Sequence, residues 1–126
     1  VRVLLDSHVA LRWLEDSDSL GARTRDVIAH ADEAFFSAVT LWELGIKQTL
    51  GKLTMPDGLA DALESGGFIP LGISVGHAER APALPRHHRD PFDRMLIAQA
   101  QLEALTLISA DTSFDPYEVE VVNART

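Results

Sequence analysis

The chain has no cysteine in its 126 residues. Disulfide staples and thiolate metal centres are therefore excluded, and a reducing compartment suits the composition. No apolar run approaches the ~20 residues needed to cross a bilayer. Residues 1–6 are too short and too early for a signal peptide; they read as the first strand of a cytoplasmic domain with no membrane association. Lysine is scarce, with Lys47 and Lys52 the only two, and aromatic residues make up only 6% of the chain. No aromatic-rich stripe for stacking nucleobases is therefore visible. Repeats, low-complexity tracts and linkers are also missing.

What is present suits one domain over residues 1–126. Hydrophobic residues are 46% of the chain, enough for a core without staples. The net charge of −8 speaks against a general nucleic-acid binder, which carries a basic face. Acids gathered into one metal site would inflate that count, however, so the position of the bases matters more. Arg86, Arg89 and Arg94 cluster around His87 and His88, beside the acidic segment at 90–93. A basic rim next to an acidic pocket suits a phosphodiester substrate bridged by a cation.

Apolar patterning predicts strands at 3–5, 34–37, 68–73, 107–109 and 119–122. It predicts helices at 7–15, 21–31, 39–50, 56–64, 75–80 and 91–105, with loops at 81–89 and 112–117. Strand and helix alternate, which predicts a three-layer α/β/α fold around a mainly parallel sheet of about four or five strands. Ligands in such sheets sit beyond the carboxyl ends of the strands, where Asp6 and Asp111 fall.

Each acid has an ordinary structural reading beside a functional one. Asp6 can cap the helix that follows it, although Ser7 could take that duty and free the carboxylate. Glu43 has Val39, Ile46 and Leu50 as helical neighbours, so it lies on a stripe that should face the core; Lys47 at i+4 offers it a partner. Asp90 before Pro91 has the pattern of an N-cap with proline at N1, and Asp93 falls at N3. One acid suffices for capping, which assigns Asp90 to the cap and Asp93 to the pocket. Asp111 can close an Asx-turn. Adjacent His87 and His88 lack the spacing of a metal pair and read as substrate or partner contacts. Trp13 and Trp42 sit among apolar residues and read as core. Together, four acids at strand ends and on an apolar face point to a single pocket whose mutual repulsion a hard cation relieves.

A phosphotransfer receiver has a similar size and alternation but needs a lysine late in the chain, as do haloacid-type phosphatases; none follows Lys52. A binding module whose acids merely cap helices would show no metal dependence.

Four segments carry a resemblance over nearly the whole chain: Leu4-Leu5-Asp6-Ser7-His8, Ser37-Ala38-Val39-Thr40-Leu41-Trp42-Glu43, His88-Arg89-Asp90-Pro91-Phe92-Asp93-Arg94-Met95-Leu96-Ile97-Ala98-Gln99-Ala100, and Ser109-Ala110-Asp111. The chain resembles PIN-domain proteins, specifically the VapC-type toxins of bacterial toxin–antitoxin pairs. The resemblance implies Asp6, Glu43, Asp93 and Asp111 as an acidic quartet around Mg²⁺ or Mn²⁺, with Asp6 and Asp93 as direct ligands. Glu43 and Asp111 would bind directly or through water. It implies endoribonuclease activity through metal-activated water, a cognate VapB-type antitoxin and a homodimer. Ser7, Ser109 and Asp90 would support the acids, and Arg86, Arg89 and Arg94 are candidate phosphate contacts. A PIN nuclease acting on DNA is the alternative that residue chemistry does not separate.

Overall fold

Short strands made of aliphatic residues without polar alternation can be covered on both faces. The computed structural model describes residues 1–126 and contains five strands, of which β1 and β4 have this character: β1 (Arg2–Leu5), β2 (Glu33–Ser37), β3 (Ile69–Leu71), β4 (Thr106–Ser109) and β5 (Val121–Asn123). All pairings are parallel, in the order β3-β2-β1-β4-β5. Six helices flank them: α1 (Ser7–Leu14), α2 (Ala22–Ala29), α3 (Ala38–Thr49), α4 (Leu59–Ser65), α5 (Val75–Ala83) and α6 (Pro91–Glu103).

Successive strand residues face opposite sides, and the core divides accordingly. Val3, Leu5, Phe36 and Ile108 belong to the cluster shared with α1, α2 and α4. Leu4, Phe35 and Leu107 belong to the cluster shared with α5 and α6. α3 contributes Leu44 to the first and Val39 to the second. Val3, Leu4, Leu5, Leu107 and Ile108 are wholly buried, each contributing about 1.5–3 kcal/mol. The result is the expected α/β/α layering.

The strand order positions the site. From β1 the chain builds outward to β2 and β3; from β4 it builds the other way to β5. A crevice opens beyond the carboxyl ends where the direction reverses. Leu5 pairs with Ile108, so the next residues, Asp6 and Ser109, are brought side by side.

Several boundaries differ from expectation. α4 begins at Leu59 rather than at residue 56, because Gly58 takes a left-handed conformation at its N-cap (φ 72°). α5 runs through Pro82 to Ala83, where residues 81–89 read as loop. Ala81 and Leu84 are buried against the α6 side of the core, and that packing outweighs the proline signal. β5 lies at Val121–Asn123 rather than 119–122, and a 3₁₀ turn, Thr112–Phe114, interrupts the loop after β4. Trp42 is not core: it is 62% exposed, as is Leu50. The apolar stripe of α3 therefore ends sooner than its sequence suggests. Trp13 is partly buried, meeting Phe68 edge to face at 5.8 Å.

Candidate active site

Asp6 is the first residue after β1 and the N-cap of α1. Its Oδ1 accepts the amide of Val9 at 2.8 Å, and its Oδ2 accepts the hydroxyl of Ser109 at 2.5 Å. Asp6 therefore caps the helix itself. Ser7 does not take over the cap: its hydroxyl donates to Glu43 Oε1 at 2.7 Å and lies 3.3 Å from the Thr40 hydroxyl. Burial raises the Asp6 carboxyl above its usual pKa despite the Ser109 and Val9 hydrogen bonds.

Glu43, in the second turn of α3, is 5% exposed. Its Oε2 accepts from Lys47 Nζ at 2.8 Å, so the i+4 pairing and the inward orientation both hold. That hydrogen bond raises the Lys47 ammonium above its usual pKa against some desolvation, and the charges of Asp90 and Asp93 add to the effect.

Asp90 caps α6, its Oδ1 accepting the amides of Phe92 at 2.9 Å and Asp93 at 3.2 Å. Asp93 is thereby left free of capping. Its Oδ2 meets His88 Nε2 at 2.7 Å. Burial and then the charge of Asp90 push Asp93 up to about 6, with His88 opposing and Glu43 adding. Asp111 caps the 3₁₀ turn through Oδ1, which accepts the Ser113 amide at 2.9 Å. Its Oδ2 stands 4.0 Å from His88 Nε2. Burial pushes Asp111 up, but the Ser113 hydrogen bonds and the nearby His88 and His8 more than offset this and hold it below its usual pKa.

Hydroxyl and imidazole groups knit these acids together. Ser109 donates to Asp6 and accepts the Asp111 amide at 3.0 Å, linking the ends of β1 and β4. His88 links Asp93 to Asp111. These two and His88 form a set of three possible metal ligands whose donor atoms all lie within 4.8 Å of one another. Asp6 and Glu43 stand outside that set, so the structure does not draw Asp6 and Asp93 into one tight ligand group. Carboxylate oxygens with one imidazole nitrogen fit a hard or borderline divalent ion such as Mg²⁺ or Mn²⁺. Asp90 and Glu43 crowd Asp93 with like charge, as carboxylates do without a cation, whereas burial alone raises Asp6.

His88 is the residue that spacing failed to mark as an acid-pocket member. It sits in an aperiodic loop, and only its place five residues before Asp93 hinted at the contact. Two side chains fix it through three hydrogen bonds: its amide donates to the Tyr117 hydroxyl at 2.7 Å, and its carbonyl accepts from Arg94 at 3.0 Å and from Tyr117 at 3.4 Å. Arg94 is thus not a free phosphate contact. It is buried, and its guanidinium donates to the carbonyls of Pro82, Leu84, Pro85 and His88. Arg86 and Arg89 remain exposed, on the rim of a cavity of ≈ 700 Å³ that adjoins His88.

Comparison with known proteins adds three findings. The PIN domain family matches residues 3–119. The chain is 32% identical over 117 residues to Ribonuclease VapC22 of Mycobacterium tuberculosis, covering 86% of each chain. Its fold matches VapBC2 from Rickettsia felis bound to a DNA fragment from their promoter (TM-score 0.71, 14% identity, 98% of each chain) and DNA-bound VapBC from Salmonella typhimurium (0.68, 14%, 97% of each).

Proposed function

The chain belongs to the PIN domain family, and on that premise we propose that it is a divalent-metal-dependent endoribonuclease, the toxin of a type II toxin–antitoxin pair. The observation that carries this reading is the grouping of Asp93, Asp111 and His88 within 4.8 Å of one another, with Ser109 joining Asp6 to the Asp111 amide at the strand-order reversal. The ribonuclease name of the mycobacterial relative supports the reaction, and the toxin–antitoxin neighbours support a VapB-type antitoxin as partner. A homodimer and a cytoplasmic location go with the same proposal. No helix is long and apolar enough to cross a membrane.

Asp93, Asp111 and His88 would hold the ion, with Asp6 and Glu43 completing its surroundings directly or through water. A bound Mg²⁺ or Mn²⁺ supplies charge against the phosphoryl oxygens and lowers the pKa of water. The remaining work falls to the chain. Ser109 holds Asp6 Oδ2, and Ser7 holds Glu43 Oε1, so neither carboxylate can swing away. The carboxylates accept hydrogen bonds from the attacking water and aim it at phosphorus. Arg86 and Arg89 draw the phosphodiester toward an otherwise repulsive pocket. Lys47 balances Glu43.

Incubation with a defined panel of single-stranded RNAs, and matched DNAs, in Mg²⁺, Mn²⁺ or EDTA tests the reading. RNA cleavage with either metal is expected, falling at least about a hundredfold in Asp6→Asn and Asp93→Asn, a loss of the size seen when a charge-stabilising group is removed. Asp90→Asn should stay far more active, because Asn caps about as well as Asp. Cleavage of DNA alone, or full activity in Asp93→Asn, would overturn it.

A further inference from the structure

Trp42 stands out because exposing an indole forgoes about 2–3 kcal/mol of burial. It projects from α3 at 62% exposure and meets Phe92 of α6 edge to face at 5.2 Å. The two rings form one wall of the ≈ 700 Å³ cavity, between α3, α5 and the start of α6. Val39 and Met95 also line it, and Ile73, 42% exposed, stands at its edge. His88 belongs both to this cavity and to the carboxylate cluster, so the two spaces adjoin. Arg86 and Arg89 line the same cavity, are exposed, and make no ion pair.

Two free guanidinium groups beside an exposed indole, in a chain of net charge −8, select the occupant by charge. A purely apolar protein segment would leave both cations without partners. A nucleotide of single-stranded RNA satisfies both halves of the surface: its phosphates meet Arg86 and Arg89, and its base offers a π face to the indole. The geometry points to this cavity as the subsite for an unstacked base adjacent to the scissile phosphate, with Trp42 as the stacking platform. A base held in a stacked duplex cannot reach the indole, so unpaired strands are the probe. This rests on the ribonuclease reading and assigns a further substrate contact to it.

The test uses labelled ten-nucleotide oligoadenylate and oligouridylate. Binding is measured by fluorescence anisotropy in Mg²⁺, with Asp93→Asn as the parent protein so that the strand stays intact. Adding Trp42→Ala should weaken binding roughly tenfold to a hundredfold, and Trp42→Tyr should restore most of it. Arg86→Ala and Arg89→Ala should each reduce the salt dependence of binding by roughly one charge. Circular dichroism checks that the surface variant at Trp42 remains folded. Unchanged binding in Trp42→Ala overturns the proposal, as does rescue by Trp42→Leu equal to that by Trp42→Tyr, which marks an apolar protein-docking groove instead. Absence of binding to both oligonucleotides by the parent protein overturns it too. Cleavage by the wild-type protein is scored separately. RNA cut normally while Trp42 is irrelevant to binding sinks only the base subsite; binding through Trp42 without any cleavage sinks only the nuclease.

Discussion

At the scale of single residues, capping a helix and serving the proposed metal site are compatible duties. Asp6 and Asp111 each spend Oδ1 on a backbone amide and turn Oδ2 toward the cluster. The cap fixes the carboxylate's orientation, and the second oxygen is left to act. Asp90 and Asp93 divide the same duties between two residues. Asp93 has a consequence for stability. Its folded pKa is raised from 3.8 to about 6. The folded protein therefore holds that proton more tightly than the unfolded chain. The associated stability is present below pH ~4 and is lost as pH rises through ~6. A shift of that size corresponds to at most about 3 kcal/mol, less after solvent screening. Urea unfolding of metal-free wild type and Asp93→Asn should show similar stability near pH 4.5 and a more stable variant at pH 7.5. A variant less stable than wild type at both values would contradict the burial and crowding assigned to Asp93.

At the scale of elements, the loop from Leu84 to Asp90 matters most, because it delivers His88. Arg94 and Tyr117 tie its carbonyls and the His88 amide to α6 and to the segment after β4. Arg94→Ala should cost about 3 kcal/mol or more in urea unfolding, because it strands four carbonyl partners in a buried place. Wild-type stability in that variant would show the guanidinium to be dispensable. This loop also marks where sequence reading stopped. Periodicity located every strand and helix, since β1, β4 and α6 carry dense apolar signals whose meaning hardly depends on their neighbours. As candidates, Asp6, Glu43, Asp93 and Asp111 are legible because each stands at an element end or on a face that ought to be apolar, although the structure groups only Asp93 and Asp111 tightly, with His88. His88 and Arg94 were not, because their roles depend on carbonyls and acids brought close only by tertiary folding. Trp42 was misread for a related reason: an indole among aliphatic residues looks buried until α3 is seen to carry it out over a cavity.

At the scale of the whole molecule, a parallel sheet that grows outward in both directions from β1 and β4 concentrates negative charge at one crevice. The remaining acids spread into surface pairs such as Arg2–Glu33 and Arg25–Asp16, each worth little. The net charge of −8 therefore does not describe the local field, in which Arg86 and Arg89 line a cavity that shares His88 with the Asp93–Asp111 cluster. The most direct measurement is thermal unfolding of EDTA-treated protein at pH 7.5 during titration with MnCl₂ or MgCl₂. Binding to the folded state alone at a hundred times Kd should raise Tm on the order of 10 °C in wild type. Asp93→Asn should show little or no rise. Melting curves that ignore the metal, or that rise equally in the variant, would contradict a site assembled around a divalent ion.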